Sequence, residues 1–466
     1  MNTKLTMVSL LVSAALVGCD AAPSANPGST VGVITGFGSV YVNGVEYETT
    51  GSSFSIDGVD GSENDLSIGQ IVTLNGTVNA DGTTGTASTI TFADNVEGIV
   101  ISAEVAADGT GVMNVMGQTV TITADTVFDS DIATIPSIDL VIAGNLLEVS
   151  GYSQGDGTVY ATHVELKAES FAGEDMEVKG LITGLDEAAK TFTLGGLLID
   201  YASATLALEG ATLANDLYVE AKSNTALSGN VMTATEVEIE GDGDIEIDVA
   251  EGDEVEISGP VLVKGSDNIV INGQTLYFTA ELDEESDITF ADIAVGMKLE
   301  VEAYADTQGH LVVQKVETEE EGDISITAHI DANGIDLANK TITILGYTIQ
   351  TNTSTMFRDE QDEGETPVRY FNIDDLTAGD MIDVDVYMDA AGALVATKLE
   401  RDDDDLTAGE FKLEGKITLV DISSFTIGGI SVDLSNYPSA TVGQELEVVG
   451  SYIDGVITIS SVSLDI

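Results

Sequence analysis

The chain has 466 residues, 43% of them hydrophobic, which is too apolar for a disordered acidic polymer and long enough for several folded domains. Its 81 Asp and Glu against 15 Lys and Arg give a net charge of −66, which repels phosphate backbones and speaks against nucleic acid as a partner. With Cys19 as the single cysteine, an intrachain disulfide framework is excluded.

Residues 1–18 carry one cation, Lys4, followed by an apolar run from Leu5 to Val17, the layout of a secretory signal and too short to span a bilayer. The run ends in Leu16-Val17-Gly18-Cys19, which resembles the lipobox of bacterial lipoproteins. That resemblance implies acylation of Cys19 and a membrane contact made through lipid, stable because several acyl chains insert together. Residues 19–30, rich in Ala, Ser and Pro, are expected to be a tether.

From Val31 the sequence is read as strands. Gly32 to Phe37, Ser39 to Val42 and Val45 to Thr49 form the first three, with Asn43-Gly44 as a hairpin turn. A turn-rich stretch with Asp57-Gly58 and Asp60-Gly61 leads to a short capped turn at Asp65 to Gly69; Gln70 to Val78 and Thr86 to Phe92 follow as strands four and five. Three strands, a short helical piece and two more strands is the chain order of an OB-like five-stranded barrel.

The hairpin glycine returns at Gly117, Gly196, Gly273, Gly346 and Gly429, at spacings of 73, 79, 77, 73 and 83 residues, which suit small domains and not solenoid turns. A second glycine before the fourth strand recurs as Gly69, Gly144, Gly296, Gly379 and Gly443, and only the third repeat departs, with Ala214-Asn215-Asp216. The expected fold is therefore all-β, six tandem small OB-like barrels at residues 31–95, 96–168, 177–241, 254–318, 323–401 and 410–466. Acidic connectors at Glu174 to Glu177, Glu240 to Glu254, Glu317 to Asp323 and Arg401 to Glu410 are expected to be solvated, extended linkers, which would make the molecule a long arm of independent units.

Gly32-Val-Ile-Thr-Gly-Phe-Gly-Ser-Val-Tyr-Val-Asn-Gly44, with Leu66-x-x-Gly69 and a last strand of the Val-x-Ala-Thr type, resembles a bacterial envelope domain family of unknown function that occurs in tandem copies. The resemblance implies a location in the cell envelope, facing the periplasm or the exterior, and supplies no catalytic residues.

Residues for chemistry are sparse. Acids alternating with aliphatics, as in Ile382-Asp-Val-Asp and Leu299-Glu-Val-Glu, read as the solvated faces of strands. Asp242 to Asp248 and Asp359 to Tyr370 only partly match calcium loops, the first lacking the central glycine and the second the final glutamate, so no metal site is assigned and divalent cations are at most loose partners. His163, His310 and His329 lie in three different repeats without pairing, and there is no Trp to build a sugar platform. No catalytic residue and no cofactor is expected. The face of strands two and three in the first repeat, around Phe37, Tyr41 and Tyr47, is the expected ligand surface, where OB-type barrels present their sites. Three functions fit: a non-catalytic lipid-anchored binding or scaffolding arm for an envelope protein or polysaccharide, a calcium-dependent adhesin or matrix component, and an envelope glycan hydrolase.

Overall fold

The computed structural model describes residues 26–464 apart from 107–109, 131–140, 154, 209, 241–246, 248, 280, 320–321, 360–367, 402–405, 434, 436 and 454. The leader 1–18, Cys19, the loop Asp242 to Glu246 and most of the second partial calcium loop lie outside the described residues.

Repeat one shows how the ring closes. Asn26–Gly36 pairs antiparallel with Val40–Val42, and that strand with Val45–Glu48. Val45–Glu48 runs parallel to Thr84–Phe92, which returns against Ile71–Val78, and Ile71–Val78 completes the circuit on Asn26–Gly36. Parallel pairing of third and fifth strands closes repeats two, three, four and five in the same way. Closure removes free edges, the reason so many short strands coexist in one chain.

Local backbone chemistry explains the two glycine markers. In five hairpins both central residues have positive φ, Asn43 (49°) with Gly44 (72°), Met116 (46°) with Gly117 (80°), Asn272 (47°) with Gly273 (73°), Leu345 (52°) with Gly346 (78°) and Gly428 (52°) with Gly429 (75°). Such turns match the twist of the flanking strands and need a residue without Cβ at their second position. Before the fourth strand, the amide of Gly69, Gly144, Asp216, Gly296, Gly379 or Gly443 donates to a carbonyl in its own first strand or one residue beyond it, Ile34, Val100, Ile182, Val261, Ile330 or Ile417, at 2.9–3.0 Å. Asp216, the residue that breaks the sequence pattern, adopts φ 66° and makes the same bond, since Asp tolerates the left-handed region better than most residues.

Three expectations need correction. The residues between Asp57 and Gly61 belong not to a plain turn but to a small hairpin, Ser53–Ile56 with Val59–Gly61, set against the fifth strand. The tether ends earlier than expected, because Asn26 to Thr30 is already part of the first strand. Above all, the repeats are not separate units on a long arm. Gly28 to Val31 of repeat one runs parallel to Glu254 to Ile257 of repeat four, so both share one 13-stranded sheet. Val96–Val105 of repeat two pairs with Met176–Leu181 of repeat three, and Ile324–His329 of repeat five with Glu410–Val420 of repeat six. Repeats two and three share one hydrophobic core, as do five and six, while Val31, Ile71 and Tyr152 of repeats one and two pack into the core of repeat four. Side chains join the pairs: the Arg369 guanidinium of repeat five stacks 4.2 Å from the Phe37 ring of repeat one, and Arg358 donates to the Phe128 carbonyl of repeat two at 3.0 Å. Exposed backbone and apolar rims at each barrel's first strand outweigh the mutual repulsion of the acids, whose charges are screened over about 8–10 Å.

Repeat six departs from the plan. Among the described residues its fifth strand, Val456–Leu464, pairs only with Glu445–Ile453, and its third, Ile430–Asp433, only with Ser424–Ile427. Among the described residues five rings close and the sixth is open.

Candidate functional site

The three aromatics expected to form a ligand face are not displayed together. Phe37 and Tyr47 are buried in the core of repeat one, and only Tyr41 is partly exposed. Phe37 is covered from outside by Arg369, whose guanidinium also donates to the Glu63 carbonyl. Burial and the neighbouring Glu46 push the Tyr41 phenol up to about 12, so it stays neutral. Tyr47 turns its hydroxyl to Thr30 Oγ1 at 2.8 Å, and burial raises its pKa further.

Tyr47 also forms a wall of a cleft that no single repeat contains. The cleft, about 450 Å³, lies where repeat one meets repeat four and is lined by Thr30, Asn43 and Tyr47 on one side and Glu256, Glu300 and Glu302 on the other. The parallel seam between Asn26–Gly36 and Glu254–Pro260 builds it, by placing the acids of one barrel against the polar edge of the next. Asn43, the residue of the hairpin motif, accepts from Ser258 Oγ at 2.7 Å and donates to the Val31 carbonyl at 3.2 Å, tying turn to seam. Gly32 has its place here too, because a Cβ on it would meet Asn43 Oδ1 at 1.9 Å.

The electrostatics of the cleft are unbalanced. Burial raises the Glu256 carboxyl to about 7, against a hydrogen bond from Asn43 and with help from Glu302. Burial and the neighbouring Glu256 and Glu317 raise Glu300 to about 8. Lys315 also lines the cleft but pairs with Glu302, at 3.0 Å, and with Glu317, at 2.7 Å, and only partly offsets the rise of Glu256 and Glu300. Two carboxylic acids that titrate near neutrality therefore face a phenol held neutral.

A second acidic junction lies where repeats one, two and three meet, and it contains a cation. The Lys179 ammonium lies 3.2 Å from Asp94, 3.4 Å from Glu220, 3.6 Å from Glu177 and 3.9 Å from Asp57, and donates to the Asp94 carbonyl at 2.9 Å. Burial works against its charge, but the acids around it more than compensate and raise its pKa. Glu220, despite burial, is held below the usual carboxylate range by Lys179 and by Lys222 at 2.7 Å. Among the described residues, two acid groups have metal-ligand spacing: Asp57, Asp94 and Glu177, and Glu220, Glu238 and Glu240. Lysine ammonium groups stand against both, Lys179 in the first and Lys222 beside Glu220 and Glu238 in the second.

Sequence patterning had placed the strand acids in solvent. Glu256 and Glu300 instead face a neighbouring repeat, and Asp383 lies half-buried within its own repeat, where it accepts from Ser325 at 2.9 Å on the strand that pairs with repeat six. Burial, opposed by Lys398, lifts the adjacent Asp385 to about 6. Nothing in a period-two pattern separates an acid facing water from an acid facing another barrel. Neither acid group with metal-ligand spacing includes a histidine. His163 is fully buried near the repeat five contact, and burial lowers it to about 4, with neither ring nitrogen hydrogen-bonded among the described residues.

The chain belongs to the family described as DUF5666, a domain of unknown function, whose model matches residues 97–165, 179–238, 259–317 and 326–400, one match in each of repeats two to five. No curated protein matches it. Among solved structures, the chain titled drosophila Unr CSD456 is 12% identical over 49% of this chain and 98% of that one, and its TM-score of 0.14 is too low to carry an argument.

Proposed function

We propose that the chain is a non-catalytic, lipid-anchored protein of the bacterial cell envelope, acylated at Cys19, whose packed β-barrels form an acidic binding or scaffolding body. The cleft between repeats one and four is its ligand seat, and an envelope protein or polysaccharide segment is the partner class. The observation that carries the reading is that cleft: it is built from two repeats, lined by a phenol and by carboxylic acids poised near neutrality, and equipped for hydrogen bonding. Uncharged carboxylic acids, a phenol and amides suit a hydroxyl-rich or amide-rich ligand better than an anion.

Two measurements test it. Intact-mass analysis of membrane-extracted protein should show acyl groups on Cys19, and a Cys19→Ser variant should leave the membrane fraction. Thermal melting against soluble envelope polysaccharides and amide-bearing envelope fragments should give an upward shift that Tyr47→Phe with Glu300→Gln abolishes; no shift with any of them counts against the cleft as a seat. The two acid groups with metal-ligand spacing favour a second reading, a calcium-dependent adhesin. That reading requires millimolar calcium to raise the melting temperature by displacing Lys179 or Lys222.

A further inference from the structure

In each of the five closed rings, the third strand runs parallel to the first two or three residues of the fifth, and in repeats one, two, three and five a further strand runs parallel to the rest of that edge. Among the described residues, repeat six leaves that edge open. The last strands of the closed rings all contain buried side chains, such as Leu394, Val395, Ala396 and Leu399 in repeat five, whereas Val456–Leu464 contains none. Ile457, Ile459 and Val462 pack only partly against the core shared by repeats five and six. Val456 is 61% exposed, Ile453 62% and Leu464 48%.

An unpaired edge is ordinarily protected by a charge, a proline or a cover. This one reads Val-Ile-Thr-Ile-Ser-Ser-Val-Ser-Leu, with no charged residue and no proline, in a chain of net charge −66. That contrast decides the occupant. A strand recruited by charge would find no carboxylate on this edge, and an acidic strand would gain no cation. An uncharged, β-branched strand is the match, and a second copy of the same segment supplies one. Set antiparallel about a two-fold axis, the two segments oppose only Val, Ile, Ser, Thr and Leu, and both sets of half-covered Ile457, Ile459 and Val462 gain a neighbour.

We propose that the chain self-associates through Val456–Leu464, each copy completing the open sixth sheet of the other. Sedimentation velocity on the full chain carrying Cys19→Ser, in about 0.5 M NaCl to screen the acids, should show a species of twice the monomer mass that grows with concentration. Thr458 and Ser461 are exposed, so Thr458→Lys with Ser461→Lys should weaken the dimer at least tenfold while circular dichroism and melting temperature stay those of the parent. Hydrogen exchange gives an independent readout, in which the amides of 456–464 slow on association and no other strand does. A chain that stays monomeric, a dimer that survives both lysines, or protection that appears elsewhere overturns the proposal.

Discussion

The two acidic junctions of this protein solve one problem in opposite ways. Where repeats one, two and three meet, Asp57, Asp94, Glu177 and Glu220 surround Lys179, and the ammonium keeps its charge because the acids more than offset its burial. Where repeats one and four meet, Glu256 and Glu300 have no such cation between them, and they respond by holding protons up to about pH 7 and 8. The difference teaches that a strand-borne acid turned inward by a neighbouring barrel has two outcomes. A lysine projecting from the same seam makes an ion-paired cluster, in which Glu220 is held below its ordinary range although burial still raises Asp94 and Glu177; without one, the seam becomes a cleft of protonatable acids.

The largest effect that separates the two junctions is expected from Lys179→Met. Removing the shared cation leaves buried carboxylates facing one another and should cost about 3–5 kcal/mol in urea unfolding, with Asp94→Asn restoring part of the loss. If Lys179→Met is neutral, the cluster is not held by its cation.

Next comes the pH dependence of the cleft. Glu256 and Glu300 have folded pKa values raised above their unfolded ones, so the folded state holds protons that the unfolded state releases. Their contribution is complete below the ordinary glutamate pKa and is lost as pH rises through about 7 and 8. Stability should therefore fall by on the order of 1–3 kcal/mol as pH rises from about 4.5 to about 8, and Glu256→Gln with Glu300→Gln should remove the part of that slope that ends near 8. His163 acts with the opposite sign: its lowered pKa gives stability present above the unfolded histidine value and lost as pH falls toward about 4. His163→Gln should remove the histidine's share of the acid-side decline, leaving that of lowered carboxyls such as Glu220, without touching the alkaline one.

Tyr47→Phe tests the wall the cleft shares with the barrel core. It deletes the bond to Thr30 Oγ1 and should cost about 1 kcal/mol, read as a shift in the urea midpoint at unchanged slope. The smallest effect belongs to Lys315→Met. Lys315 bonds Glu302 and Glu317 at the rim, both substantially exposed, so its loss should cost less than about 1 kcal/mol. It should still move the alkaline limb of the pH profile to higher pH, because Lys315 is one of the charges that draws Glu256 and Glu300 toward ionisation and without it they hold their protons longer.

Much of the fold was legible in the sequence, and particular residues show why. The glycines at 44, 117, 273, 346 and 429 mark turns whose positive φ requires them, and Gly69, Gly144, Gly296, Gly379 and Gly443 mark one conserved bond to the first strand. These are local constraints, so they are written locally. The aromatics were legible only as aromatics. Phe37 and Tyr47 read equally as core or as ligand face, and the choice fell to Arg369 and to Glu256, residues more than 200 positions away.

By itself, the sequence determined the all-β class, the repeated strand order and the left-handed turn positions, because each depends on backbone sterics and a period-two pattern within a few residues. Tertiary structure decided that the repeats fuse through shared sheets and cores, that some strand acids face another barrel and others water, and that the sixth ring, among the described residues, stays open. The physical reason is that an edge strand carries the same residues whether its partner is solvent or a distant segment. Burial, and with it the charge state of every acid on that edge, is settled only when the second strand arrives.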